Sequence, residues 1–305
     1  MAKVHRTYAL ACAFGKHRVA RATLIYVLAL IVGLNSGTLS RLFADGSPKS
    51  RPNLGKADTS RATRDSAIRS IPIEKLSSDG RIKVASVLSR LSLFRRMPIH
   101  VTPCDPDMYL FLVRHPDVVV NIWQVLGIGQ LTFTQIGDNT YEMTDVDGVV
   151  GKVVFLYRSY DTHVVYIESQ YKGLLFAKPL AGEGLLVLKT GYVREPDGRY
   201  YITSRLDTFM RIDHDGVEFF TKTFHPLVGK VADTNFVQTS SFLGSLSRTV
   251  ETNNRGVQRL ATRLRNVQPE VRREFAEVAD RVAQKTTKQV AHNAMLNKNR
   301  VSIRR

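Results

Sequence analysis

Hydrophobic and polar positions along this chain follow three regimes of spacing, and each change of period marks a boundary. Val84, Val87, Leu88 and Leu91 recur at helical spacing, after which Arg95-Arg96 leads into the apolar run Met97 to Val101. The pattern predicts a short amphipathic helix and then a first strand. Asp105-Pro106-Asp107 reads as a helix start. Asp caps free amides, Pro at the first helical position sacrifices no hydrogen bond, and the second Asp meets the positive end of the dipole. This helix carries Met108 to Val113. His115-Pro116-Asp117 opens another, which carries Val118 to Leu126, holds the sole tryptophan, Trp123, and ends near Gly127 and Gly129.

Beyond Gly129 the period shortens to two. Leu131 to Ile136, Thr140 to Thr144, Gly151 to Tyr157, His163 to Tyr171, Gly184 to Arg194 and Arg199 to Ile212 are rich in β-branched and aromatic residues. Turn chemistry separates them at Asp138-Asn139, Asp147-Gly148 and Glu195-Pro196-Asp197-Gly198. Connections this short predict antiparallel neighbours. In the last segment Tyr200, Ile202, Leu206, Met210 and Ile212 share one parity, while Thr203, Arg205, Asp207 and Arg211 share the other. One sheet face is therefore expected to be buried and the other wet.

Helical spacing then returns. Val217, Phe220 and Phe224 begin an apolar stripe that continues through Val228, Ala232, Phe236, Thr239, Leu243, Leu246 and Val250. A helix from Gly216 to about Glu251 is expected, kinked at Pro226, with Ser240, Ser241, Gly244 and Ser245 small enough for close approach to a sheet. A further amphipathic helix opens at Pro269-Glu270 with Val271, Phe275, Val278 and Val282 on one face. It is suited to dock on the domain or on a second copy, and its basic end from Lys285 to Arg305 is expected to fray.

The charge of +17 changes this picture only at the ends. Residues 1–100 carry 18 Lys/Arg against five Asp/Glu, residues 101–250 carry 13 against 17, and residues 251–305 carry 13 against five. A nucleic-acid-binding domain should be basic on its folded face, whereas this core is slightly acidic, so no nucleic acid is expected. At the N-terminus Lys3, Arg6, Lys16, Arg18 and Arg21 precede the apolar run Ala22 to Leu34, and no charge occurs from Ala22 to Ser40. Residues 1–44 thus read as a signal peptide or an uncleaved signal anchor, with residues 22–40 long enough to enter a membrane. The chain is expected to be exported or membrane-associated, in the cell envelope or periplasm. Residues 45–78, rich in Ser, Arg, Gly and Pro, read as a flexible basic linker, residues 79–252 as the folded domain, and residues 253–305 as a basic helical extension.

Catalytic motifs are sparse. Asp213-His214-Asp215 is the most suggestive acid–base cluster, but adjacent residues do not face one another, and a turn with helix capping accounts for it. His115 and His225 precede prolines at helix boundaries, while His100 and His163 lie on strands with no partner at metal spacing. Gly182-Glu183-Gly184 lacks the setting of a nucleotide loop, and no nucleophile elbow occurs. No cofactor or metal is expected. Arg205 and Asp207 read as a solvated pair, and Cys104 as a small buried hydrophobe at a strand end.

The order of elements, a strand, two short helices, six antiparallel strands and a long helix, resembles the START-like, polyketide-cyclase-like superfamily of α+β helix-grip proteins. The resemblance covers about residues 96–252. It is carried by Met108-Tyr109-Leu110-Phe111-Leu112-Val113-Arg114-His115-Pro116-Asp117 running to Asn121-Ile122-Trp123, and by Phe236 to Val250 as the gripping helix. The whole chain also resembles a bacterial family of exported proteins. The resemblance implies about seven strands curved around the helix and an interior that holds a hydrophobic small molecule or lipid. Parity and helical spacing nominate Trp123, Ile167, Leu188, Met210, Phe236 and Leu243 as ligand-binding residues, although ordinary core packing gives the same stripe. Two other functions share this frame: a cyclase- or hydrolase-type enzyme using the same cavity, and a structural envelope protein with a filled core that self-associates through its C-terminal helix.

Overall fold

In the computed structural model residues 55–146, 148–171, 180–212 and 225–302 are described. Residues 1–44, Asp147, the Asp213-His214-Asp215 cluster and the expected helix start at Gly216 lie outside them.

Sequence periodicity translates directly into the sheet. Strands β1 (Leu93–Arg96), β2 (His100–Pro103), β3 (Thr132–Gly137), β4 (Thr140–Thr144), β5 (Val149–Arg158), β6 (Thr162–Tyr171), β7 (Leu180–Arg194) and β8 (Tyr200–Ile212) form one curved sheet. Its order is β1-β8-β7-β6-β5-β4-β3, with β2 also on β8, and every pairing is antiparallel. The expected first strand at Met97 to Val101 is instead two strands. Pro98 has no amide to give to a ladder, so the edge is interrupted there. Arg96 pairs with Asp207 and His100 with Ser204, so one extra residue is absorbed between them. At the β7–β8 tip Gly198 adopts φ +86°, as the predicted turn requires.

Helices α1 (Arg61–Arg69) and α2 (Ser78–Ser89) precede the sheet, with a 3-10 turn at Ile73–Lys75 between them. Helices α3 (Pro106–Arg114) and α4 (Pro116–Val125) follow β2, and α5 (His225–Ala261) and α6 (Pro269–Ser302) close the chain. The Asp105 side chain accepts from the amides of Asp107 and Met108 with Pro106 at the first helical position, as its sequence predicts. The kink expected at Pro226 falls at the edge of the described residues. A break within α5 lies at Asn253, with φ −143° and ψ 55°, and the Asn253 Oδ1 accepts from the Gly256 amide at 3.1 Å, so it caps a second helical segment running to Ala261.

Two apolar cores lie on opposite faces of the sheet. The concave face packs α3, α4, α5 and α6 against residues such as Ile167, Leu186, Leu206 and Met210. The convex face packs Ala67, Ile71, Leu76, Val84 and Val87 against Phe94, Tyr166, Leu185, Val187 and Phe209. Two expectations are thereby corrected. The second face of β8 is not wet, for Asp207 and Phe209 have no exposure at all. Nor is all of 45–78 a linker, because Ser60 caps α1 and Ala67 is fully buried. Asp207 is paired two-pronged with Arg96 at 2.6 and 2.9 Å, while Arg205 lies 3.8 Å away, so the predicted solvated Arg205–Asp207 pair is a buried Arg96–Asp207 pair.

Candidate functional site: the concave interior

Helix α5 is clamped to the sheet along one seam. Gly244 lies so close to β2 that an added Cβ would sit 2.3 Å from Thr102 Cγ2 and 2.9 Å from the Pro103 carbonyl. Beside it the His100 ring lies 3.3 Å from Ser241 Oγ, and Arg95 pairs with Asp233, its Nε donating at 2.8 Å. From this seam the apolar face of α5, with Ala232, Phe236, Leu243, Leu246 and Val250, lies over the concave wall.

The six nominated residues converge. Trp123, Ile167, Met210, Phe236 and Leu243 are buried in the concave core, and Leu188 is partly buried against it. Trp123 meets Phe242 of α5 edge-on, with ring centroids 5.8 Å apart. Register fixes their rows: Val153, Ile167, Gly184 and Met210 lie across β5 to β8, and Arg158, His163, Leu188 and Leu206 form the next row but one.

That second row brings in polar residues the periodicity did not nominate. His163 is 1% exposed, and neither ring nitrogen has a hydrogen-bond partner. Burial, reinforced by Arg114 and Arg158, pushes its imidazole down to about 4, so it is neutral at pH 7. Arg158 lies 3.9 Å over the Phe155 ring and donates to the Tyr141 hydroxyl at 3.4 Å. The Tyr141 hydroxyl in turn donates to the Arg114 carbonyl at 3.3 Å, tying the strands to the α3–α4 junction. At that junction Asp117 is 1% exposed, and neither carboxylate oxygen has a partner. Burial raises it to about 6, partly offset by its own amide, that of Val118 and Arg158. His115 stacks on Phe111 at 4.7 Å and is pushed down to about 4 by burial, with Arg158 and Arg114 contributing.

A further polar row lies towards the β7–β8 tip. Thr190, Ser204 and His100 are register partners, and the Tyr109 hydroxyl from α3 lies 2.7 Å from Ser204 Oγ. Thr102 and Thr208 oxygens and Trp123 Nε1 are buried without partners. Cys104, as predicted, is a buried thiol beside β2, driven up from its ordinary range by burial. Among the described residues no three His, Cys, Asp or Glu side chains are placed to hold a metal ion. No described helix is long and apolar enough to cross a membrane.

No family model matches the sequence, and no curated protein matches it. Among solved structures the chain is similar to a conserved protein from Geobacillus kaustophilus, with a TM-score of 0.35 and 5% identity over 48% of this chain and 93% of that one. It is similar to Ara h 8.0201, with a TM-score of 0.28 and 15% identity over 47% of this chain and 96% of that one. It is also similar to apo dicamba monooxygenase, with a TM-score of 0.26 and 12% identity over 66% of this chain and 58% of that one.

Proposed function

We propose that the concave interior holds a hydrophobic small molecule or lipid and that the chain, exported or tethered by residues 22–40, is a carrier or receptor for it rather than a catalyst. One observation carries this reading. His163, Thr208 and Trp123 present buried polar atoms without protein partners to a mainly apolar interior. A filled core satisfies nearly all such atoms, and each one left bare costs about 1–3 kcal/mol. A ligand that is mostly apolar with a few polar atoms meets both demands of this wall.

His163 also gives the enzymatic reading its best candidate, a neutral buried imidazole that could take up a proton. A general base needs a neighbour that fixes its orientation. The nearest acid in sequence, Asp161, is instead bonded to Ser159 Oγ at 2.8 Å, which favours holding over turnover.

Native mass spectrometry of the full chain purified from cells, followed by organic extraction, tests the proposal. An apolar compound released intact in near-stoichiometric amount is the expected result. Repeated recovery of the bare chain would sink it, and recovery of a converted product would favour the enzyme. The same spectrum gives the chain mass, and so tells a cleaved leader from a retained anchor.

A further inference from the structure

We infer that the end of the interior closed by the α3–α4 junction is a subsite for the acidic head group of the bound molecule, so that the ligand is a monoanionic amphiphile such as a long-chain carboxylic acid. The inference rests on the carrier reading and narrows it.

Arg114, at the last position of α3, and Arg158, at the end of β5, both bear on His163. Neither arginine forms an ion pair with a described acid, and both have a buried Nε without a partner. An unneutralised guanidinium beside an apolar wall is costly unless an anion completes it, and a planar carboxylate fits its paired donors. Arg158 is held ready by two contacts, the Phe155 ring beneath it and the Tyr141 hydroxyl.

His163 is the independent indicator. It stands directly opposite Arg158 across β5 and β6 and is 1% exposed, with both nitrogens bare. A neutral imidazole adds one hydrogen bond of its own to those that the guanidinium donors give an anion. Asp117, 1% exposed at the same junction and within the field of Arg158, already supplies one carboxylate and so leaves room for one further negative charge rather than two. A single negative charge therefore matches the site, whereas a phosphate dianion overfills it. Farther along the same row, on β7 and β8, Leu188 and Leu206 are apolar and suit the chain attached to that head group.

The test compares dodecanoate, 1-dodecanol and dodecyl phosphate on the purified full chain, with binding followed by the fluorescence of Trp123, the sole tryptophan. Dodecanoate is expected to bind about tenfold or more tightly than dodecanol, as charge-assisted hydrogen bonds would give. In Arg158→Gln and in Arg114→Gln that ratio should fall towards one. The ratio is the readout because partial unfolding lowers both affinities together. Equal binding of acid and alcohol by the unaltered chain, a ratio untouched in both variants, or preference for dodecyl phosphate overturns the subsite while leaving the carrier reading standing. Binding of none of the three removes the carrier reading as well.

Discussion

His163 and Asp117 are equally buried, yet burial moves their protonation in opposite directions, and stability should record both. His163 and His115 titrate at about 4 in the folded chain against 6.5 when exposed. Between those values the unfolded chain holds more protons, so their contribution weakens as pH falls through this window. Asp117 titrates at about 6 in the folded chain against 3.8 outside it. Here the folded chain holds the extra proton, so its contribution is complete below 3.8 and is lost as pH rises to about 6. Two histidines outweigh one carboxyl, and each unbalanced proton is worth about 1.4 kcal/mol per pH unit. Urea denaturation midpoints measured from pH 4 to 7 should therefore show a flatter slope in His163→Gln and a steeper one in Asp117→Asn. An unchanged slope in His163→Gln would mean that this imidazole is hydrated in the folded chain.

At the scale of elements, what was legible in the sequence is what depends on neighbours along the chain. The Asp-Pro starts of α3 and α4, the glycine turn at Gly198 and the spacing of Val271, Phe275, Val278 and Val282 on α6 carry local physics, and each element forms where it should. The site was half legible for the same reason. Parity finds Ile167, Leu188 and Met210, but Arg158 and Arg114 are brought together only because the α3–α4 junction folds back onto Tyr141 of β4, which no periodicity reports. Helix α1 escaped notice because Ala67 is its only buried residue, too small a signal for an amphipathic stripe. The seam between α5 and β2 is a tertiary contact that the small residues did foretell. Gly244→Val should cost about 2–3 kcal/mol of stability, because the added Cβ meets the Pro103 carbonyl, a backbone atom with little freedom to yield. Thermal or urea unfolding measures the loss, and a variant as stable as the parent would show that α5 slides freely on the sheet.

For the molecule as a whole, the unexpected feature is that the sheet is covered on both faces, and this sets where the domain begins. Periodicity alone starts it at about Asp79, which keeps α2 and discards α1. The convex core nevertheless includes Ala67, Ile71 and Leu76, all at most 5% exposed, and the backbones of Asp58 and Arg96 are joined by hydrogen bonds of 2.9 and 2.8 Å. A chain beginning at Gly55 keeps all of these contacts and should unfold in one cooperative transition. Beginning at Asp79 uncovers part of the convex core. Beginning at Ser92 uncovers Phe94, Tyr166, Leu185, Val187 and Phe209 together. Each large apolar side chain brought into water costs about 1.5–3 kcal/mol, and a domain has only about 5–15 kcal/mol to lose. The urea midpoint is thus expected to fall from the first chain to the second, and the third should aggregate or stay unfolded. If all three unfold at the same midpoint, the N-terminal helices rest on the sheet without stabilising it, and the grip around α5 stands by itself.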